Sequence, residues 1–158
     1  MAGVPATRVL LVEDDPEVVA VLGELLTVHG YEVHYAAHST AAFVMLTAPH
    51  DVLPHLVILD IGLPMVSGVA VLEFIRITLC SDLPVVVLTG TATPEQEERL
   101  RELGVRAFLR KPASVRVLLS AVAEAASVGP SPLQDWHMRK ASRCDESEAR
   151  TSPPPLSG

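Results

Sequence analysis

The sequence predicts an α/β domain on a doubly wound, five-stranded parallel sheet, and three observations carry that prediction. Short apolar runs alternate five times with longer segments of helical period, the pattern of repeated strand–helix units. Three of the runs (VLLV, LVIL and VVVL) contain no polar residue, as strands covered by helices on both faces require. The other two, 31–35 and 106–110, mix polar with apolar residues as edge strands do. Edges at the second and fifth positions give the order 2-1-3-4-5. The chain has 158 residues, 49% apolar and 20% charged, enough to bury roughly 70% of its unfolded surface in one domain.

The first strand is Arg8–Val12. Its helix, Pro16–His29, opens on Asp15-Pro16, an N-cap followed by proline at the first helical position, and closes at Gly30. Tyr31–Tyr35 is the second strand and Thr40–Ala48 its helix. Leu56–Leu59 and Val69–Cys80 form the third unit. Pro84–Leu88 leads to the helix Pro94–Leu103, announced by the capping box Thr93-Pro94-Glu95-Gln96 and ended by Gly104. Ala107–Arg110 and Val115–Ser127 complete the domain, expected to occupy residues 1–127. From Val128 onward, Ser-Pro steps, mixed charges and a Pro-rich end predict a disordered tail (128–158) with no output domain. Trp136, the sole tryptophan, falls inside it.

The formal net charge is −7, and it is uneven. Residues 1–127 hold 15 acids and 8 bases, whereas 128–158 hold 4 of each. A folded part this acidic argues against direct nucleic-acid binding, which needs a basic stripe. No apolar run reaches the ~18 residues of a membrane span, and the N-terminus lacks a leader pattern. Cys80 and Cys144 form no Cys-x-x-Cys, so no disulfide framework and a cytoplasmic location are expected. His34 and His38 fall on a strand and a loop, which makes no zinc site.

In the order 2-1-3-4-5, the crevice at the carboxyl ends of strands one and three is the default binding position. Glu13, Asp14 and Asp15 follow the first strand, Asp60 ends the third, Thr89 the fourth, and Lys111-Pro112 the fifth. Two carboxylates about 4 Å apart repel by roughly 1–4 kcal/mol at effective dielectrics of 80 to 20, so a cation among them is favoured. Oxygen ligands that are few and partly exposed suit Mg²⁺, which accepts one or two carboxylates plus a phosphoryl group. Helix capping explains Asp15 but not Asp60, which precedes Ile61 with no helix close behind it. Thr89 and Lys111 supply a hydrogen-bond donor and a positive charge for a phosphoryl group. Lys111 is one of two lysines against ten arginines, a compact point charge where the chain elsewhere uses the guanidinium fork.

Residues 8–127 resemble the receiver domain of two-component response regulators. The likeness lies in an ordered set: Glu13-Asp14, Asp60 with Leu63-Pro64 and Gly68, Thr89-Gly90, Phe108, and Lys111-Pro112. Asp14 and Asp60 are 46 positions apart, Asp60 and Thr89 are 29 apart, and Thr89 and Lys111 are 22 apart. The resemblance implies the flavodoxin-like receiver fold of a stand-alone, chemotaxis-type receiver. Asp60 would be the phosphoacceptor, taking a phosphoryl group from a phosphohistidine of a sensor histidine kinase or phosphotransfer protein. Asp14, Asp60 and the Gly62 backbone carbonyl would hold Mg²⁺, with Glu13 helping through water. Lys111 and Thr89 would bind phosphoryl oxygens, and Thr89 with Phe108 would form a two-state switch. Gly90 would leave the approach to Asp60 open, and Lys111-Pro112 would be cis. Such a chain is a switch that catalyses only its own phosphorylation and dephosphorylation.

Three departures stand out. Ser67 replaces the usual Asp or Asn before the loop glycine, Phe108 lacks the hydroxyl of a tyrosine, and Gly62 and Thr91 occupy the positions that tune phosphoryl loss. A haloacid-dehalogenase-like phosphatase needs Asp-x-Asp after the first strand, which Asp14-Asp15-Pro16-Glu17 lacks. A flavin carrier needs a phosphate loop where three acids stand. A receiver used only for protein binding is the remaining alternative, opposed by the intact acids, Thr89 and Lys111. Output is expected through the face built from the fourth helix, fifth strand and fifth helix, against a downstream protein or a second copy as homodimer.

Overall fold

The computed structural model describes residues 6–49 and 52–127. Five parallel strands, β1 (Arg8–Val12), β2 (Glu32–Ala36), β3 (Leu56–Leu59), β4 (Val85–Thr89) and β5 (Ala107–Arg110), lie in the order β2-β1-β3-β4-β5. They alternate with helices α1 (Pro16–Val28), α2 (Ser39–Leu46), α3 (Gly68–Glu73), α4 (Pro94–Glu102) and α5 (Val115–Ser127). The predicted fold class and strand order are those observed. The expected tail, Trp136 included, lies outside the described residues.

Strand alternation divides the core. Leu10, Val12, Val57, Leu59, Val85 and Val87 face α2, α3 and α4, packing with Ala42, Leu46, Val71, Leu72 and Leu100. Val9, Leu11, Leu56, Ile58 and Leu88 face the other way, against Leu22 and Leu26 of α1 and Leu118 and Val122 of α5. Side chains of period two, sandwiched between helices, explain why β1, β3 and β4 are apolar throughout. β2 and β5 carry the exposed residues Glu32, Tyr35 and Arg110, as sheet edges should.

Caps set the helix starts. Asp15 accepts the Glu17 N–H at 2.9 Å, and Ser67 accepts the Val69 N–H at 3.2 Å. At α4, Thr93 and Gln96 close a reciprocal capping box. Gly30 and Gly104 take positive φ just past α1 and α4, where a side chain would be strained.

The predicted third helix changes character midway. After Glu73 the chain continues as a π-helical segment, Phe74–Thr78, in which the Leu79 N–H reaches the Phe74 carbonyl at 2.9 Å. Arg76 leaves this segment and donates to the carbonyls of Leu103, Ser81, Leu83 and Gly104, tying it to the end of α4. Cys80 is disulfide-bonded, against the expectation for the cysteines. No helix among the described residues is long and apolar enough to cross a membrane.

Candidate functional site

All five strands end at one rim, and backbone pairing continues one residue beyond them. The Glu13 N–H donates to the Ala36 carbonyl at 3.1 Å, the Asp60 N–H to Val12 at 3.0 Å, and the Lys111 N–H to Thr89 at 3.0 Å. The sheet, rather than a loose loop, therefore fixes where these side chains leave the backbone, which favours precise placement.

Lys111 Nζ spans two carboxylates, donating to Glu13 Oε2 at 2.6 Å and to Asp60 Oδ2 at 3.2 Å. The opposite oxygens are held by backbone: Asp15 N–H on Glu13 Oε1 at 3.2 Å and Gly62 N–H on Asp60 Oδ1 at 3.0 Å. Glu13 is 2% exposed and Asp60 7%, while Asp14 stands in solvent. Burial pushes the Glu13 carboxyl above its usual range; the Lys111 hydrogen bond and the Asp15 N–H draw it back without cancelling the rise, and the charge of Asp60 adds to it. Burial also depresses the Lys111 ammonium, but the Glu13 hydrogen bond and the charges of Asp60 and Glu13 outweigh it and raise its pKa. Both members of one ion pair thus move up. Depth decides, since the Glu13 side chain is 3% exposed and that of Lys111 is 27%.

The donor set fits a hard divalent cation. One oxygen from each of Glu13, Asp14 and Asp60 lies within 4.8 Å of the others, close to the span of oxygens around an octahedral ion with ligands near 2.1 Å. Asp14 on the wet side leaves room for the waters that Mg²⁺ retains. Asp15 points to its own helix as an N-cap, so capping accounts for it and for neither Asp60 nor Glu13.

Two glycines shape the approach. A Cβ on Gly68 would stand 2.2 Å from the Asp60 carbonyl oxygen, so only glycine lets α3 begin this close to the end of β3. A Cβ on Gly62 would meet Thr91 Oγ1 at 2.5 Å and Asp60 Oδ1 at 3.6 Å; the Thr91 hydroxyl thus borders the space beside the Asp60 carboxylate. Thr89 is fully buried, and its Oγ1 accepts the Thr91 N–H at 3.4 Å. Phe108 is half-buried against the α2–α3–α4 core. Lys111-Pro112 is cis.

The rim therefore gathers Glu13, Asp14, Asp60, Gly62 and Lys111, with Thr89 at the end of β4 and Phe108 deeper in β5 opposite Val87. Two features were missed. A cavity of about 360 Å³ opens beside Glu13 and Asp14, walled by Pro16, Val19, Ala20, Tyr35 and Ala37; only contacts between β2 and α1 create it. The other is a pairing of Arg110 with Glu97, two charges 13 positions apart on different elements.

Known proteins share both the sequence and the fold. The chain is 32% identical over 142 residues to the regulatory protein VirG of Agrobacterium tumefaciens, covering 88% of this chain and 51% of that protein. It is 35% identical over 126 residues to the transcriptional regulatory protein PdtaR of Mycobacterium tuberculosis, covering 80% and 59%. The chain thus spans about half the length of the curated relatives it matches. Among solved structures it resembles the CheY-like receiver domain protein of Methanospirillum hungatei (TM-score 0.69, 26% identity, 78% of this chain and 95% of that one). It also resembles the non-phosphorylated HemR receiver domain of Leptospira biflexa (0.69, 31%, 78% and 97%). The family model of the response regulator receiver domain matches residues 9–123, which include every residue of the acidic rim. With the sheet order, the rim and these likenesses in agreement, the chain belongs to the response regulator receiver domain family.

Proposed function

We propose that this chain is a phosphoacceptor switch of two-component signalling, with Asp60 as the acceptor. The observation that carries the reading is Lys111 Nζ bridging Glu13 and Asp60 at the edge of a buried carboxylate pair. A carboxylate oxygen of Asp60 attacks phosphorus in a phosphohistidine; the P–N bond breaks, the imidazole leaves with a proton, and an aspartyl phosphate remains. Lys111, already at the carboxylates, balances the charge gathering on the phosphoryl oxygens. The Gly62 N–H keeps Asp60 Oδ1 oriented. Asp14, Asp60 and the Gly62 carbonyl, with Glu13 nearby, would hold Mg²⁺, which would supply charge neutralisation on the phosphoryl group.

The new phosphoryl oxygens draw the Thr89 hydroxyl, and Phe108 moves into the space it vacates. The face α4–β5–α5 reports the change to a downstream protein, a second copy of the chain being the other occupant. A sensor histidine kinase or phosphotransfer protein supplies the phosphoryl group. The switch turns over only its own phosphoryl group. Incubation with acetyl phosphate and Mg²⁺ should label the protein once, at Asp60, and Asp60→Asn should take no label. Equal labelling of that variant contradicts the assignment.

A further inference from the structure

Away from the acidic rim, a second charged cluster joins α4 to β5. Glu97, whose side chain is 16% exposed, pairs with Arg110 and lies 3.7 Å from Arg101. The Arg110 guanidinium also stands over the Phe108 ring, 5.6 Å from its centroid. On the neighbouring strand, Arg110 is the register partner of Thr89, and Phe108 that of Val87. One side chain therefore touches the aromatic ring, reaches α4, and flanks the buried threonine. The capping box at Thr93 anchors the α4 end that carries Glu97.

We propose that Arg110 is a positioning residue, a latch clamped between Glu97 and the Phe108 ring that holds the ring in its half-buried position. The proposal rests on the phosphoacceptor reading and adds a control to it. For Phe108 to move inward it must leave the guanidinium face, and Arg110 cannot follow while Glu97 holds it. A contact present in one arrangement and absent in the other biases the equilibrium by its own strength, whatever its distance from the reacting atoms. An exposed ion pair and an exposed cation–π contact are each modest. Together they set a bias of about three- to tenfold, enough to tune a switch without locking it.

The test uses the full chain labelled with 4-fluorophenylalanine, which reports on Phe43, Phe74 and Phe108; Phe108→Leu assigns the third resonance. The ¹⁹F shift of Phe108 and the rate of Asp60 labelling by acetyl phosphate with Mg²⁺ are measured side by side. Arg110→Ala should move the Phe108 resonance toward its phosphorylated position and speed labelling about three- to tenfold. Glu97→Gln should shift both in the same direction, and Arg110→Lys, which keeps a cation over the ring, should stay near the parent. An Arg110→Ala protein with parental shift and rate overturns the latch, as does an Arg110→Lys protein displaced as far as the alanine variant. If the parent takes no label, the phosphoacceptor reading has failed. The latch then stands on a Phe108 shift in the alanine variant that is absent from the lysine variant, and falls without it.

Discussion

Asp14 and Asp60 are one residue type at the ends of neighbouring strands, yet their surroundings give them different tasks. Asp60 is buried and held on both oxygens by Lys111 and the Gly62 amide, while Asp14 stands in solvent beside it as a charge that raises the local repulsion. Asp14→Ala should therefore raise the melting temperature of the metal-free protein, by about 1 kcal/mol of relieved repulsion, and abolish the further rise on adding Mg²⁺. A variant whose melting still responds to Mg²⁺ like the parent would contradict that role. These acids were legible because each sits at a strand end, a place that apolar runs mark plainly. The depth of Glu13 was not legible. Expected to help through water, it is the shorter partner of Lys111 and nearly sealed, because Ala36 and Asp15 fold over it. Arg110 and Glu97 were unreadable as a pair, since no local period links β5 to α4.

At the scale of elements, sequence punctuation located every strand and helix, and the boundaries moved where side chains or backbone groups were used elsewhere. Tyr31 was expected in the second strand. Its N–H instead bonds the Leu26 carbonyl at 3.1 Å to close α1, so β2 starts at Glu32. The second helix stops at Leu46 rather than Ala48, where the Thr47 hydroxyl turns back on the Phe43 and Val44 carbonyls. The π turn at Phe74–Thr78 keeps the apolar spacing of an ordinary helix and gave no warning. Gly68 is the element-scale residue with the sharpest consequence. Gly68→Ala forces a methyl against the Asp60 backbone, so α3 must retreat from the site. It should lower unfolding free energy by about 1–3 kcal/mol and slow Asp60 labelling. Urea denaturation matching the parent would show that the close approach is dispensable.

Across the whole molecule, the acid surplus first reads as a solubility term and an argument against nucleic acid. Part of it is the rim, three carboxylates answered by one lysine. The two shifted groups act on stability with the same sign, in different pH windows. Glu13, raised in the folded state, contributes most below its ordinary 4.5 and loses that contribution as pH climbs through its raised value. Lys111, also raised, contributes fully below 10.5 and loses it as pH climbs through its folded value. Melting temperature should therefore fall as pH rises above 10.5, and fall less steeply in Lys111→Met; parallel slopes would contradict the ion pair.

Phosphorylation of Asp60 makes one covalent bond, an acyl phosphate, which chemical trapping detects. After acetyl phosphate and Mg²⁺, borohydride reduction of an aspartyl phosphate leaves homoserine in place of the aspartate. Peptide mass spectrometry should then find homoserine at position 60 alone, only when Mg²⁺ is present. Homoserine at another carboxylate, or none despite full exposure to the donor, would contradict the account.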